Sequence, residues 1–553
     1  MSADGMLMAD KLIRSLTEKG TILSTSIRMA KLTTNKERVD LAYDLLAENL
    51  LLPHLSVDVK SDVKSQEFRE KGNEMFKEKK FREAHEFYTK SLVYANSNIE
   101  LSLAFANRSA VLFHKKLYVE CLHDIKMALQ YDYPEHLKPK IQSRETKAKE
   151  LMVDQFKIEF NTEPPTISEE NQNPLIQAAS KSIKLEYTEE LGRHVIATTD
   201  LKPGEIIAIE RPFCQILKNE IFSHCHHCLK LCYILKPCPN CTQALFCSDI
   251  CQTDANLIYH QYECPILYSF VKWDLQHRLL HLRIVISATK KYDDINKYLS
   301  EPNAIYRSDS YKEIHNLVSN TAQRSVSDLF DRAIHAACFY HLLKTFTGFF
   351  KNTSEQHENT FKELVLYQMQ IGPCNFHEIT ETKTSDRTSD DLVSQQEIGD
   401  GAYSFLSMFN HSCCPNVVRY GYGPLTILIT LDSIKAGEQC FDNYGYHYAV
   451  MPKKERKARL KKQYFFNCSC IACVENYKMY DFLSVIPDRN LTLSDKDTRA
   501  LINHNLKEAK KIFRKLRGKI EIAGAQKPNA NLGELQEGMK QCLFIFETIK
   551  TPI

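Results

Sequence analysis

Between Cys225 and Cys264 the chain places eight side chains of metal-ligand type in four pairs, Cys225-x2-Cys228, Cys238-x2-Cys241, Cys247-x3-Cys251 and His260-x3-Cys264. Two ligands separated by two or three residues reach one tetrahedral ion from a single turn, so four pairs suit two closed structural zinc sites. The stretch is too poor in apolar residues to hold a fold by burial alone, and ion cross-links supply what its core lacks. Spacing leaves the grouping open between sequential and alternate pairs. His224, His226 and His227 flank the first pair and are expected to be exposed supporting positions, although any of them has the chemistry to replace a thiolate. A second cysteine-rich stretch, Cys468-Ser469-Cys470-Ile471-Ala472-Cys473, supplies three thiolates, one short of a closed site.

These groups need a scaffold, and 553 residues allow three or four domains, each with its own core. The 72 basic and 69 acidic residues leave a formal net charge of +3, so no global field calls for nucleic acid. Lysine and arginine are also sparse between Cys225 and Cys264, which argues against DNA binding by that stretch. The basic run Lys453 to Lys462 reads as a solvated helix face. The opening residues lack a secretory pattern, and no stretch approaches the ~18 apolar residues of a membrane span, so a soluble intracellular protein is expected. There, nineteen free cysteines would be a hazard unless many hold metal. The eight outside the ligand sets, Cys121, Cys338 and Cys542 among them, are expected to be small buried apolar residues.

From Phe68 and again from Leu101 the chain repeats one pattern: an apolar helical face, a short break, a second amphipathic helix, and small residues (Gly72, Ala84, Ala110, Ala128) where helices pack closely. The spacing of about 34 residues is that of tetratricopeptide repeats. A third unit after Pro134 is degenerate, so the helical segment before Pro53 or the following domain must cap the stack. Within the repeats, Arg69, Asn73, Asn107, Lys140 and Arg144 fall where carboxylate-clamp repeats hold an acidic peptide C-terminus, which would imply a heat-shock chaperone as partner. Downstream, Leu191–Pro212 is β-rich around a Gly192-Arg193 turn, and VVRYGY and LTILITL read as strands. Pro265 to Ile371 is helical by period. The polar tract Thr380 to Asp391 reads as a disordered loop, and the segment after Cys473 as three short amphipathic helices.

The ligand order of residues 225–264 resembles the MYND zinc finger, a module that contacts partner proteins. That resemblance implies crosswise binding, with Cys225, Cys228, Cys247 and Cys251 on one zinc and Cys238, Cys241, His260 and Cys264 on the other. Asn410-His411-Ser412-Cys413-Cys414-Pro415-Asn416, followed by Gly437-Glu438, Asn443-Tyr444-Gly445 and the Cys468–Cys473 stretch, resembles a split SET domain, the fold of lysine methyltransferases that use S-adenosylmethionine. Together the motifs resemble the SET-and-MYND family, in the branch with N-terminal tetratricopeptide repeats, from about Phe68 to Cys473. The family places Cys413 with Cys468, Cys470 and Cys473 on a third zinc, with Cys414 as the alternative. It gives Tyr444 the end of the lysine channel and Tyr464 and Phe466 its closure, as catalytic positions. Gly192, Arg193, Asn375, Asn410, His411, Tyr444 and Phe466 fall at cofactor contacts. His377 stands where relatives outside this branch carry an aromatic wall.

The expected architecture is an α+β multi-domain chain. It has an N-terminal helical segment (1–60) and α-helical tetratricopeptide repeats (61–155). A β-rich split SET domain (180–224 and 372–450) is interrupted by the MYND finger (225–264) and a helical insertion (265–371). A post-SET zinc segment (451–475) and a C-terminal helical region (476–553), truncated relative to the family, complete it. The resemblance implies a protein-lysine methyltransferase with three zinc ions and S-adenosylmethionine, acting on a histone or non-histone protein in cytoplasm and nucleus. It is expected to be a monomer off the membrane, with a histone deacetylase or corepressor recruited through the finger. A scaffold with a vestigial SET fold is the competing expectation.

Overall fold

A computed structural model describes residues 8–152, 159–160, 163–292, 294–384 and 395–550. The helices Met8–Glu18, Ile22–Lys31 and Asn35–Glu48 open the chain, the third started by a capping box in which the Thr34 side chain and Glu37 satisfy each other's backbone N–H groups. This segment packs on the insertion helices Val326–Phe346 and Glu355–Asn375 and leaves the repeats uncapped. Leu12 and Leu46 share one apolar core with Phe339 and Ile371, and the buried amide of Gln370 donates to Asn35 Oδ1 at 2.7 Å. Of the two caps open to the repeats, the following domain is the one used.

The repeat region is two helical hairpins, Asp62–Lys77 with Phe81–Tyr94 and Asn98–His114 with Tyr118–Gln130, followed by Lys138–Leu151. Ser61 and Ser97 cap the first helix of each hairpin by accepting from the backbone N–H three residues on. Gly72 is required by close approach, since a Cβ there would lie 2.5 Å from the Tyr88 ring. The finger covers the stack: Leu231 and Tyr233 join the core of Leu92, Phe105 and Ile125. Inside this junction Arg108, fully buried, donates to Asp124 at 2.7 and 3.0 Å and to the Leu235 carbonyl at 3.0 Å. Burial alone would raise the Asp124 carboxyl, yet the Arg108 guanidinium holds it below the usual carboxylate range. Removing one member of such a pair strands the other. Arg108→Leu is therefore expected to destabilise the fold by about 3–5 kcal/mol, read by denaturant unfolding, because it leaves Asp124 charged and buried.

The β-rich part has three main sheets. Ile183–Thr188 and Gly192–Ala197 form an antiparallel hairpin whose turn places Gly192 at φ +66°, a conformation open to glycine at little cost. Val417–Tyr422, Leu425–Thr430 and Ile206–Glu210 form an antiparallel three-stranded sheet. The third sheet runs Glu159–Phe160, Ile549–Lys550, His377–Thr384, Gln395–Ala402, Cys214–Leu217 in spatial order. The expected loop at Thr380 to Asp391 is corrected in its first part: Thr380–Thr384 continues the His377 strand, paired with 395–397 and with Ile549–Lys550. Residues 385–391 lie outside the described residues. The three C-terminal helices, Asp495–Ile502, Leu506–Gly524 and Ala530–Glu547, have 8, 19 and 18 residues, so only the first is as short as expected. They pack on Leu431 and Val418, behind the three-stranded sheet. No described helix is long and apolar enough to cross a membrane.

Candidate active site and metal centres

Eleven cysteines and His260 gather into three groups of four. Cys225, Cys228, Cys247 and Cys251 form one, Cys238, Cys241, His260 and Cys264 the second, and Cys413, Cys468, Cys470 and Cys473 the third, with all ligand atoms of a group within 4.8 Å of one another. The finger's grouping is thus alternate. Sulfurs at the corners of a tetrahedron around zinc, with Zn–S near 2.3 Å, stand about 3.8 Å apart. The Cys228–Cys247, Cys247–Cys251, Cys238–Cys264, Cys413–Cys473 and Cys413–Cys468 separations are 3.6, 3.6, 3.8, 3.6 and 4.0 Å. Hydrogen bonds from neighbouring thiols hold Cys225, Cys238 and Cys470 below the ordinary thiol range. The donors therefore fit zinc. Cys414, half-buried and pushed up to about 12 by burial, stands outside the third group.

The flanking histidines differ from expectation. His224 and His226 are buried, because each ties the finger to another domain: His224 Nε2 meets Glu381 at 2.9 Å, and His226 Nε2 meets Arg283 at 2.9 Å. His227 is half-buried, with Nδ1 3.0 Å from the Tyr259 hydroxyl. Of the eight remaining cysteines, Cys121, Cys214, Cys338, Cys440 and Cys542 are buried, while Cys232, Cys374 and Cys414 are half-buried.

Two cavities meet beside the third cysteine group. One of about 570 Å³ is lined by Gly192, Arg193, Asn375, Asn410, His411, Phe466 and the 467–470 stretch. The other, about 480 Å³, lies between the His377–Thr380 backbone and residues 419–423. Tyr444, Tyr464, Cys374 and Ser407 line both. The Tyr444 and Tyr464 rings stand 4.7 Å apart at 40° and make an aromatic wall between the two spaces. Tyr444 donates its hydroxyl to the Phe409 carbonyl at 2.9 Å, which leaves the oxygen's lone pairs free to accept. Burial, with Asp442 beside it, raises its pKa well above the usual phenol range, and burial pushes Tyr464 up to about 12, so both stay neutral.

Local chain geometry sets these positions. Residues 410–416 run along 439–444, with Asp442 N–H donating to the Asn410 carbonyl at 3.0 Å and Ser412 N–H to the Asp442 carbonyl at 2.8 Å. Asn410 Nδ2 reaches the Leu191 carbonyl at 3.1 Å and so fixes the Gly192 turn against the cavity. His411 Nδ1 accepts the Tyr444 N–H at 3.1 Å, which places the ring proton on Nε2, 3.4 Å from Cys413 Sγ. His411 therefore joins the third cysteine group to the aromatic wall. On the tail side, Phe465 ends the Lys453–Tyr464 helix in the left-handed region (φ +64°), at about 1–2 kcal/mol, and the reversal turns both Tyr464 and Phe466 to the cavities. Arg193 donates to the Asn316 carbonyl, and Asn375 to those of Val318 and Ile371 at 2.9 and 2.7 Å, both facing the insertion. His377 is held against Arg419 and packs 5.9 Å from Tyr403 on the second cavity.

Ser407 and Cys374 escaped the sequence reading. Ser407 Oγ lies 2.8 Å from the Asn375 carbonyl and Cys374 Sγ donates to the Gln463 carbonyl at 3.3 Å, so they bind the insertion to the core and to the tail. Cys374 had a signal in its neighbour Asn375; Ser407 had none. In the repeats, Asn107 donates to Asn73 at 2.9 Å, but Arg69 is paired with Glu100 at 3.3 Å. Arg144 is spent on the Ala106 carbonyl and Ser109 hydroxyl at 2.8 and 2.6 Å, and Lys140 stands exposed.

Residues 192–445 match the SET domain family. A zebrafish (Danio rerio) protein-lysine N-methyltransferase SMYD4 is 29% identical over 505 residues, covering 75% of this chain and 66% of its own length. Its human (Homo sapiens) counterpart is 24% identical over 73% of this chain and 66% of its own length, and human N-lysine methyltransferase SMYD2 is 25% identical over 52% and 59%. The chain thus spans just under two thirds of the length of the first of these relatives. The SET match embraces both metal-ligand groups of the 225–264 stretch, and the SMYD4 relatives align along about three quarters of the sequence; the chain is similar to SET-and-MYND proteins along that length.

Proposed function

We propose that this chain is an S-adenosylmethionine-dependent protein-lysine N-methyltransferase. The observation that carries the reading is the pair of cavities meeting at Tyr444 and Tyr464, one framed by polar backbone turns and amides, the other a groove between strand edges. The first, at about 570 Å³, has the size of a cofactor site. Gly192, Arg193, Asn410, His411 and Phe466 would hold the nucleotide donor there. The cofactor supplies an electrophilic sulfonium methyl group. The protein's own part is to bring a neutral lysine amine through the aromatic wall in line with it, a task of positioning in a dry passage. Tyr444 orients the amine by accepting one of its N–H groups, since the Phe409 carbonyl already takes the phenol proton. Neutral Tyr444 and Tyr464 leave no strong base at the wall, and burial of the lysine in their company lowers its pKa toward the free amine. Three zinc ions, two in the finger and one under the tail, complete the reading. The finger and the repeats serve in substrate recruitment.

Calorimetric titration of the zinc-loaded chain with S-adenosylmethionine and S-adenosylhomocysteine tests the reading. Saturable binding is expected, weakened at least about tenfold in Asn410→Ala, which loses the link that holds the Gly192 turn. Absence of binding to folded three-zinc protein would leave a scaffold as the better reading.

A further inference from the structure

A third cavity, about 640 Å³, opens where the 211–215 segment, the finger and the Leu279–Lys291 helix meet, and it shares no lining residue with the two of the active site. Its floor is formed by Tyr259 and Phe213, with the Arg283 guanidinium 3.9 Å from the Tyr259 ring centre. That cation is spent within the protein: Glu263 accepts from it at 2.7 and 2.9 Å and the Gln215 carbonyl at 2.9 Å. The floor is therefore aromatic and electrically neutral.

The lip differs. Leu257 and Ile258 are 68% and 40% exposed beside the opening, on the five-residue π turn Asn256–His260. His260 must enter the second metal group and Tyr259 must lie under Arg283, and the wide turn that meets both demands throws the two aliphatic side chains outward. Such turns concentrate at functional sites. Beside them stand Arg211, Lys290 and Lys291, all exposed; none makes an ion pair in contact with a carboxylate among the described residues, and Lys291 is attracted at longer range by Asp309. Lys290 is held over the Tyr262 and Phe349 rings at 4.7 and 5.1 Å. The one acid of the lining, Asp309, is already bound by Arg307 at 2.8 Å. Aliphatic side chains and three exposed cations against one already bound acid on the same rim ask for an occupant that is both apolar and negative.

We propose that this groove binds an acidic segment of a partner protein, which lowers an aliphatic or aromatic side chain onto Tyr259 beside Leu257 and Ile258 and sets Asp or Glu residues against Arg211, Lys290 and Lys291. A peptide fits better than an acyl chain, because Arg283, Glu263, His226 and His227 form a hydrogen-bonded polar layer beneath the floor where a lipid tail would need apolar depth.

The test is selection of random dodecapeptides displayed on phage against the full zinc-loaded chain, with the selected peptides then measured by fluorescence polarisation. Enriched sequences are expected to carry Asp or Glu around an apolar anchor. Their affinity is expected to fall about tenfold or more in the Lys290→Glu/Lys291→Glu double variant and in Leu257→Asp, and to weaken with salt. The substituted side chains are exposed, and unchanged zinc content and unfolding of the variants separate lost binding from lost fold. No enrichment, enrichment of basic or uncharged peptides, or undiminished binding to both variants would overturn the proposal. Binding of phosphatidylserine vesicles that the same variants abolish, with no acidic peptide selected, would overturn it in favour of a lipid surface.

Discussion

Replacing Tyr444 by phenylalanine is expected to lower the methyl-transfer rate by about a hundredfold or more, or to change how many methyl groups are added, while folding and cofactor binding persist. The wall keeps its ring, tilted at 4.7 Å from Tyr464, and loses one oxygen. That oxygen gives its proton to the Phe409 carbonyl and, under the proposed mechanism, accepts from the lysine amine as charge develops on nitrogen. A preorganised polar contact aimed at developing charge is worth about 10²–10³ in rate. The structural cost is one part-buried hydrogen bond, about 1 kcal/mol, so thermal unfolding moves little. The measurement is single-turnover methylation of a protein substrate alongside calorimetric cofactor titration. Wild-type turnover with the wild-type product distribution would remove Tyr444 from the mechanism. Because Tyr444 stays neutral well above the usual phenol range, a rise of wild-type rate with pH should report the lysine substrate and persist in the variant.

Cys470→Ser is expected to take bound zinc from three ions to two and to abolish activity through structure. Cys470 is held below the ordinary thiol range by hydrogen bonds from Cys413 and Cys468, and a hydroxyl there neither ionises nor binds zinc comparably. The damage travels along two routes. Cys413 is hydrogen-bonded to His411, and His411 to the Tyr444 backbone, so the wall loses an anchor. The 467–470 stretch also lines the proposed cofactor cavity next to Phe466, so cofactor affinity should fall with the ion. Native mass spectrometry counts the ions directly, and the two finger sites should remain filled because they share no ligand with the third. Three ions in the variant would show that Cys470 is not a ligand.

The two experiments probe features of different legibility. The Cys468–Cys473 stretch stood out because thiolates at fixed short spacings carry metal chemistry, and short spacing survives any fold, whereas Tyr444 and Asn410 stood out only through the resemblance of their motifs to the SET domain. His224 and His226 were misjudged for the opposite reason. Their partners, Glu381 and Arg283, are 157 and 57 residues away, and nothing local announces them. The same holds for the repeat cations: a helix surface rich in Lys and Arg reads as free donors until Glu100 and Ser109 are placed opposite Arg69 and Arg144. Ser407 matters only because the Leu406–Met408 turn lands against Asn375.

The sequence by itself determined the ligand inventory, the helical repeats and the strand-forming runs around Gly192 and Val417, since local spacing and periodicity decide which side chains can share a turn or a face, while the residues of the aromatic wall were legible only through the resemblance of their motifs. Only the tertiary structure showed by its own geometry which cysteines lie together, that the first three helices belong to the insertion, that the finger caps the repeats through Arg108 and Tyr233, and that a cationic, aliphatic groove opens beside Tyr259. Amphipathicity states that a face must be covered but carries no information about what covers it, and that choice is made by packing between segments hundreds of residues apart.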